Sequence, residues 1–384
     1  MFIEYIVGDN KNLRSILKDE LNISSRLFSK IKNKYVFVNG EHGIYYRDLN
    51  VNDVVKIDFG YDDDNFDNIV SNVDIEFEIV YEDEWLLIVN KGADLPVHPS
   101  INYYDISLSN GVRSYFDKIG LNKTVRLANR IDKDTTGLVV IAKCEYIQEC
   151  LVKQMIDGSF IKEYIAIACG LVDDFGVIDF PIARKDGSII ERCVDFENGE
   201  KAVTYYERLN YNAELDISLV KCKLLTGRTH QIRVHFSYIG HPLLGDSLYG
   251  LDCVASSDNL RKVSSNNGLG GGASDLHEVR DLYDGVSGAV SVGVDLNGVT
   301  PRALSVGLDK FDFEKSKSDL INHQALQSNR VCFIHPISKK VTDIGLDIDG
   351  IYKELFEMYY MFYKWIVLKK IMFYNYLLKI KPED

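Results

Sequence analysis

An aspartate set beside an arginine, directly before an apolar run, is the first feature of the sequence that could carry chemistry. The stretch Asn129–Gly137 places Asp132 two positions after Arg130, and the apolar run 138–142 follows it. This pattern predicts a turn that leads into a buried strand. A partly desolvated carboxylate fixed on such a turn, with cations nearby, is suited to act as a nucleophile or a base. Taken alone, the pattern also fits an aspartate that only shapes the turn.

A second stretch, 162–170, is apolar apart from its first residues, which include Lys162 and Tyr164. It predicts a largely buried strand. Without other information, Tyr164 is interpreted as a core aromatic side chain.

The third stretch, 225–250, concentrates cations, with two arginines and two histidines between residues 228 and 235. Thr229 is the predicted N-cap of a helix, and Gly240 is its predicted end. Cations at the start of a helix add to the positive end of its dipole. A basic amphipathic helix on the surface is the alternative interpretation.

In this order, the three stretches resemble the signatures of the RluA-type pseudouridine synthases. The first is similar to the family's His-Arg-Leu-Asp-x-x-Thr-Ser-Gly signature, the second to Lys-x-Tyr-x-Ala and the third to His-Gln-Ile/Leu-Arg. The resemblance implies an enzyme that converts uridine in RNA to its carbon-linked isomer. It extends over nearly all of residues 3–349, apart from one long insertion.

The resemblance also implies roles for single residues. Asp132 is the catalytic residue, Tyr164 stacks on the uracil and helps to remove the carbon 5 proton, and Arg233 pairs with Asp132. Arg130 enters the RNA stack where the target base was. Further contacts to RNA or substrate are expected from Asn129, Arg228 and Ile232.

The sequence departs from the family pattern at the first signature and at the opening loop of the catalytic domain. Asn129 replaces the usual histidine. Gly92 and Asp94 replace the usual proline and glycine of a Lys-Pro-x-Gly loop, which places the shape of that loop in question.

The implied reaction is redox-neutral and requires no energy source, so we expect no metal and no organic cofactor. The seven cysteines include no Cys-x-x-Cys pair, which disfavours a metal site.

Composition and periodicity divide the 384 residues into segments. The main segment has short apolar strands and few long helices, so it predicts an α+β fold with a mixed or antiparallel sheet. The segments are a small N-terminal module (1–60), an acidic linker (61–74), the catalytic domain (75–250 and 321–350), a flexible Gly/Ser-rich insertion (251–320) and an aromatic helical tail (351–384).

The N-terminal module looks like the alpha-L RNA-binding domain known from a ribosomal protein. Its predicted helices carry basic residues on their polar side, and Arg14, Arg26 and Lys30 are the expected RNA contacts. A solvated basic helix face would give the same pattern.

The formal net charge of −13 argues against a non-specific nucleic-acid binder, but many acidic residues are concentrated between positions 62 and 84. We expect RNA as the partner, with ribosomal RNA favoured over transfer RNA. No export signal or membrane span is visible, which predicts a cytoplasmic protein without membrane contact, and we expect a monomer.

Two other functions are compatible with parts of the sequence. An RNA-binding or ribosome-assembly protein with a vestigial active site would explain the altered loop and the insertion. A glycoside hydrolase using Asp132 and Asp134 is disfavoured, because its carboxyl groups must face each other across a sugar, roughly 5 to 10 Å apart.

Overall fold

The computed structural model describes residues 1–63, 69–250 and 320–356. The predicted insertion and the predicted tail lie outside the described residues, apart from residue 320 and residues 351–356. Within the described ranges, no helix is long and apolar enough to cross a lipid bilayer.

The N-terminal part folds around its own four-stranded antiparallel sheet with the order β1-β6-β3-β4. A separate pair is formed by β2 and β5. The strands are β1 (Phe2–Ile6), β2 (Lys11–Asn12), β3 (Val36–Val38), β4 (Glu41–His42), β5 (Asp48–Leu49) and β6 (Val54–Asp58). The helices are α1 (Leu13–Ser15), which continues as a π-helical turn (Ile16–Glu20), and α2 (Ser25–Ile31).

Local sequence signals account for two of these boundaries. The Ser24 hydroxyl accepts a hydrogen bond from the Leu27 N–H at 3.1 Å and so caps α2. Asn39 and Gly40 take positive φ angles of 51° and 87° between β3 and β4. This is the Asn-Gly hairpin turn, in which both central residues need positive φ.

The apolar core of the N-terminal part is continuous with a core of the main domain. Phe59 stacks on Tyr146 of the main domain with ring centroids 5.2 Å apart. Beside this contact lies a group of charged side chains, the junction cluster, made of Lys30, Asp63, Arg126 and Glu145. The predicted boundary near residue 60 therefore separates two sheets that share buried surface.

The main domain is built on a ten-stranded sheet with the order β12-β15-β16-β11-β17-β10-β8-β7, while β18 pairs with β17 and β9 with β10. Its strands are β7 (Glu78–Glu82), β8 (Leu86–Lys91), β9 (Arg126–Leu127), β10 (Thr136–Ala142), β11 (Ile161–Cys169), β12 (Phe175–Asp179), β15 (Val203–Asn212), β16 (Ile217–Leu224), β17 (Leu326–Ile334) and β18 (Val341–Gly345). A separate hairpin is formed by β13 (Ile182–Arg184) and β14 (Arg192–Val194). The helices are α3 (Leu108–Lys118), α4 (Glu145–Asp157) and α5 (Gln231–Tyr238).

Strand β17 follows the predicted insertion in sequence but lies in the middle of this sheet. It runs parallel to β10 and antiparallel to β11. The predicted α+β class with a mixed or antiparallel sheet is thereby confirmed. The segment after residue 320 completes the centre of the domain that begins before the insertion.

Strand β10 fixes the loop that carries Asp132, because it is buried on both faces. Leu138, Val140 and Ala142 belong to one core, together with residues of α4. Val139 and Ile141 belong to the other core, together with residues of α3 and α5. Full burial of a large aliphatic side chain contributes roughly 1.5–3 kcal/mol relative to exposure, so this strand is firmly anchored.

A close backbone approach between β10 and β17 requires a glycine at Gly137. This residue has a φ of 105°, and a Cβ atom placed on it would lie 2.2 Å from the Ser328 carbonyl oxygen. The last residue of the first signature therefore joins the loop of Asp132 to the central strand.

Candidate active site

The three predicted stretches converge on one cleft of about 510 Å³. This is within the range of small-molecule sites, roughly 300–1,000 Å³. Among the described residues, no group of three or more His, Cys, Asp or Glu side chains is placed to hold a metal ion. The cleft is lined by all the residues predicted from the three stretches: Asn129, Arg130, Asp132, Tyr164, Arg228, Ile232 and Arg233.

The loop that carries Asp132 is tied to β10 by the side chain of Asn129. The Asn129 Oδ1 atom accepts a hydrogen bond from the Val140 N–H at 2.7 Å, and its Nδ2 donates to the Leu138 carbonyl at 3.2 Å. The side-chain amide therefore makes the two hydrogen bonds to β10 that the backbone of a neighbouring strand would otherwise make. Its hydrogen bonds hold the start of the loop in register with the strand that follows it.

A buried lysine holds the other end of the loop. Lys91, at the end of β8, is 0% exposed, and its Nζ donates to the carbonyls of Gly92 and Lys133, both at 2.7 Å. Burial lowers the pKa of Lys91 to about 7, although the nearby carboxylates of Asp134 and Asp132 favour the charged form. This lysine anchors the backbone immediately after Asp132.

Arg233 reaches Asp132 from the first turn of α5. Its Nη1 donates to Asp132 Oδ2 at 3.0 Å. The rest of the guanidinium forms a two-point contact with Asp246, with Nε to Oδ2 at 2.7 Å and Nη2 to Oδ1 at 2.9 Å. The Asp246 side chain is 0% exposed, so Arg233 is fixed from behind and presents one N–H to Asp132.

The two oxygens of Asp132 are in different situations. Oδ2 binds Arg233 and lies 3.9 Å from His230 Nε2. Oδ1 has no hydrogen-bond partner among the described residues, and the side chain is 24% exposed at the cleft wall. One oxygen is therefore held by the protein, while the other is available to a ligand.

Tyr164 lies in β11 at the floor of the cleft and is 6% exposed. The register between β11 and β17 shifts between Glu163 and Tyr164, and such a bulge re-aims the side chain next to it. Burial raises the pKa of the Tyr164 phenol, and the charge of Asp132 raises it further. Its hydroxyl is therefore protonated at neutral pH.

A model of the RNA pseudouridylate synthase family matches residues 85–238, which contain Asp132, Tyr164 and Arg233. The uncharacterized RNA pseudouridine synthase YjbO of Bacillus subtilis (strain 168) is 36% identical over 234 residues, which are 60% of this chain and 81% of that protein. The chain belongs to the RNA pseudouridine synthase family. The ribosomal large subunit pseudouridine synthase D of Zymomonas mobilis is 41% identical to this synthase over 182 residues, 46% of this chain and 57% of that protein. The solved structure of human RNA pseudouridylate synthase domain containing 1 aligns with a TM-score of 0.46 and 19% identity, covering 72% of this chain and 87% of that chain.

The family predicted from the three stretches is thereby confirmed for this synthase. The cleft brings together residues that are up to about a hundred positions apart, since the Asp132–Arg233 contact has a sequence separation of 101. The catalytic, stacking and RNA-binding roles of single residues remain predictions.

Two residues predicted to contact RNA have partners within the protein. The polar atoms of the Asn129 side chain are bound to the backbone of β10. Lys30 contacts Glu145 at 3.0 Å and Asp63 at 3.3 Å in the junction cluster. These contacts give both side chains a structural role, and their predicted contacts to RNA stay predictions.

Arg14 and Arg26, the other expected contacts of the N-terminal module, are exposed and lie away from the cleft. Arg228 is at the cleft rim, where its Nε donates to the Lys201 carbonyl at 3.0 Å and its Nη1 pairs with Glu200.

The predicted N-cap of α5 is wrong by one position. The cap is His230, not Thr229, and His230 has a left-handed backbone with φ of 57° and no side-chain capping bond. The helix therefore starts later than the sequence suggests. Its predicted end is confirmed, since Gly240 follows α5 with φ of 86°.

The altered opening loop keeps the conformation that a glycine would supply. Asp94 has a φ of 57°, and its carboxylate pairs with Lys133 at 2.6 Å. Lys133 also donates to the Tyr103 hydroxyl at 2.9 Å. Aspartate tolerates a left-handed backbone better than most residues. The loop therefore keeps its turn despite the departure from the family pattern, and the Asp94–Lys133 contact connects it to the Asp132 loop.

Four residues of the site had no role in the sequence interpretation: Lys91, His230, Asp246 and Tyr249. Lys91 ends an apolar strand, where a fully buried charge is unexpected. Asp246 and Tyr249 follow α5 in a segment without helical or strand periodicity. The sequence signal for this part of the site was the glycine before Asp246. Gly245 has a φ of 72°, and a Cβ atom placed on it would lie 2.2 Å from the His323 carbonyl oxygen, so the turn requires a glycine.

Proposed function

We propose that this synthase isomerises specific uridines of large-subunit ribosomal RNA, with Asp132 as the nucleophile acting on a nucleotide turned out of the RNA stack. The observation that carries the proposal is the Asp132 carboxylate, whose Oδ2 binds Arg233 while Oδ1 is unengaged among the described residues. The relative named ribosomal large subunit pseudouridine synthase D supports the choice of RNA.

The reaction exchanges one glycosidic bond for another. Oδ1 of Asp132 bonds to C1′ of the ribose as the bond from C1′ to N1 of uracil breaks. The uracil rotates within the cleft, and its carbon 5 bonds to C1′ as Asp132 is released. The proton on carbon 5 leaves and N1 is protonated, so product and substrate have the same composition.

Arg233 favours the anionic nucleophile, because it remains charged at any physiological pH and is fixed by Asp246. Tyr164 presents a planar ring to the uracil and a hydroxyl near the proton that must leave. Arg130 is exposed at the rim of the cleft. It takes the place of the extruded base and offsets part of the unstacking cost, which is a few kcal/mol.

The exposed Arg14 and Arg26 of the N-terminal module contribute to RNA docking through phosphate contacts. Phosphate contacts of this kind weaken with salt and do not depend on base sequence.

Tritium release from RNA labelled at carbon 5 of uridine tests the activity. Wild-type protein should release label from large-subunit ribosomal RNA, and Asp132→Asn should release none above background. Asp134→Asn is the matched control, because it removes a carboxylate from the same loop, and it should remain active. Equal release by wild type and Asp132→Asn would refute the role of Asp132, and preferential release from transfer RNA would replace the proposed substrate.

An RNA-binding protein with a vestigial site is disfavoured, because Asp132, Tyr164 and Arg233 line one cleft with their contacts intact.

Deleting residues 1–60 would expose the shared core. The double variant Arg14→Glu, Arg26→Glu is therefore the cleaner test of docking, and it should raise KM while leaving kcat nearly unchanged. A protein that binds ribosomal RNA but never releases tritium would favour the vestigial function.

A further inference from the structure

Two hydrogen bonds connect β14 to His230, whose imidazole lies beside Asp132, through residues that the proposed mechanism does not use. The backbone N–H of Arg192, in β14, donates to the Tyr249 hydroxyl oxygen at 2.9 Å. That oxygen lies 2.7 Å from His230 Nδ1. The other ring nitrogen of His230, Nε2, lies 3.9 Å from Asp132 Oδ2.

The direction of these hydrogen bonds follows from their donors. A backbone N–H can only donate, so the Tyr249 oxygen is an acceptor toward Arg192. The Tyr249 hydroxyl has one proton, and among the described residues His230 Nδ1 is the other atom within hydrogen-bond distance of it. With Nδ1 accepting, the proton of neutral His230 is on Nε2, the ring nitrogen that lies 3.9 Å from Asp132 Oδ2.

Two further observations show that His230 is held in this position. Its backbone has a φ of 57°, a conformation that costs a non-glycine residue about 1–2 kcal/mol. The Tyr249 ring meets the imidazole edge-on at 5.6 Å and also lies 4.9 Å from the Arg233 guanidinium carbon. Tyr249 therefore supports both donors that face Asp132 Oδ2.

We propose that His230, fixed as its Nε2–H tautomer by the Tyr249 hydroxyl, is a positioning residue that orients the Asp132 carboxylate so that Oδ1 is presented to the nucleotide. The inference rests on the proposed function and adds a residue to it. Arg233 and His230 both act on Oδ2, so the carboxylate cannot turn without losing two interactions.

The charged groups around His230 determine its protonation. Asp132 of the loop before β10 and Asp246 after α5 favour the charged imidazole, while Arg233 of α5 and Arg192 of β14 oppose it. Burial is the largest effect, and the pKa of His230 is below its usual value. His230 is therefore neutral at pH 7, as an Nδ1 acceptor must be.

Three variants test the proposal in the full-length protein. His230→Ala should lower kcat about tenfold, because the Asp132 carboxylate loses one of the two polar groups that face its Oδ2, with KM nearly unchanged. His230→Gln should retain more activity than His230→Ala, because the glutamine amide still offers a donor. Tyr249→Phe keeps both ring contacts and removes only the hydroxyl. Its kcat should fall less, and the acid limb of its pH–kcat profile should move to higher pH, because the neutral imidazole has lost its donor.

Tyr211→Phe is the matched control, because its hydroxyl binds Asp216 at 2.8 Å outside the cleft, and it should behave as wild type. Equal impairment of His230→Ala and His230→Gln would indicate a purely structural role and overturn the proposal. So would a change in KM alone, or a Tyr249→Phe profile that coincides with that of wild type.

Nitrogen-15 NMR of the imidazoles separates this inference from the proposed function. Wild type should show an unprotonated Nδ1 and a protonated Nε2 for the signals that disappear in His230→Gln, and Tyr249→Phe should show a mixture of tautomers. If the protein gives this spectrum but releases no tritium, the Tyr249–His230 arrangement is supported and the proposed function is refuted. If wild type shows the Nδ1–H tautomer of His230 instead, the proposed role of His230 is refuted, whatever the activity.

Discussion

The active-site cleft and the junction cluster are both partly buried groups of carboxylates and cations, but their carboxylates differ. In the junction cluster, both oxygens of Asp63 are bound. Oδ1 contacts Lys30 at 3.3 Å, and Oδ2 accepts from the Thr124 N–H at 2.8 Å and from Arg126 at 2.7 Å. In the cleft, Asp132 uses Oδ2 alone. The two regions therefore differ in whether the carboxylate keeps an oxygen that a ligand can reach, and not in how many charges surround it.

The junction cluster has the electrostatic signature of a structural contact. Burial raises the pKa of Asp63, but the Thr124 amide, Arg126 and Lys30 outweigh it and hold the pKa at about 2. A carboxylate so well compensated is a poor nucleophile, because any reaction would first have to break these contacts. Its interactions stabilise the packing of the N-terminal part on the main domain.

Exchanging each aspartate for asparagine should separate the two regions. Asp132→Asn should lower the turnover rate on the order of a thousandfold or more, since it removes the proposed nucleophile. Its stability should change little, because Arg233 keeps Asp246. Asp63→Asn should lower the free energy of unfolding by about 1–3 kcal/mol, because the Thr124 amide and Arg126 lose an anionic acceptor while Glu145 still pairs with both cations. Urea denaturation and single-turnover tritium release measure the two effects.

The folded fraction of Asp63→Asn should turn over at the wild-type rate. If this variant is instead stable and inactive, or if Asp132→Asn unfolds, the distinction between the two regions is lost.

The sequence predicted the parts of this architecture that depend on local pattern. The apolar run after Gly137 identified β10, and the cations of 225–250 identified the helix that reaches Asp132. The α+β class followed from short strands and few long helices. Each of these features is set by neighbours in the sequence, so composition and spacing carry it.

The features that the sequence did not predict depend on contacts between distant segments of the chain. The sequence showed that Lys30 is basic, but not that Glu145 lies beside it. The family pattern placed Asn129 in an RNA-binding signature, whereas its amide completes β10. The His230 imidazole contacts Tyr249, which is nineteen positions later. Such pairings arise only when sheet and helices are packed.

Lys91→Met tests a third arrangement, a buried cation that binds carbonyls. Losing the hydrogen bonds to Gly92 and Lys133 should loosen the Asp132 loop and lower kcat about tenfold. The folded-state pKa of Lys91 is about 7, against an ordinary 10.5. The unfolded chain therefore binds more protons between these values, and wild type should gain stability relative to Lys91→Met as pH rises from 7 to 10.

Thermal unfolding of both proteins at pH 6.5 and pH 9 measures this gain. A melting-temperature difference that stays constant between the two pH values would mean that Lys91 is not desolvated as the structure indicates.

Acid titration of stability sharpens the assignment of Asp63. Its folded-state pKa of about 2 is below the ordinary 3.8, so its stabilisation is fully present above pH 4 and is lost as pH falls toward 2. Wild type should lose stability in this window more steeply than Asp63→Asn, measured as urea midpoints at successive pH values. Parallel slopes would show that the junction cluster does not hold Asp63 as an anion.

The smallest effect is expected at Asp94, where an ion pair and a backbone strain oppose each other. Asp94→Gly removes the exposed contact with Lys133, and exposed pairs contribute about 0–1 kcal/mol. It also removes the cost of a left-handed aspartate, about 1–2 kcal/mol, but adds the entropy of a glycine in the unfolded chain. We therefore expect a change within about 1 kcal/mol in chemical denaturation and nearly normal tritium release. A large loss of kcat without loss of stability would place the Asp94–Lys133 contact among those that position Asp132, rather than among those that only shape the loop.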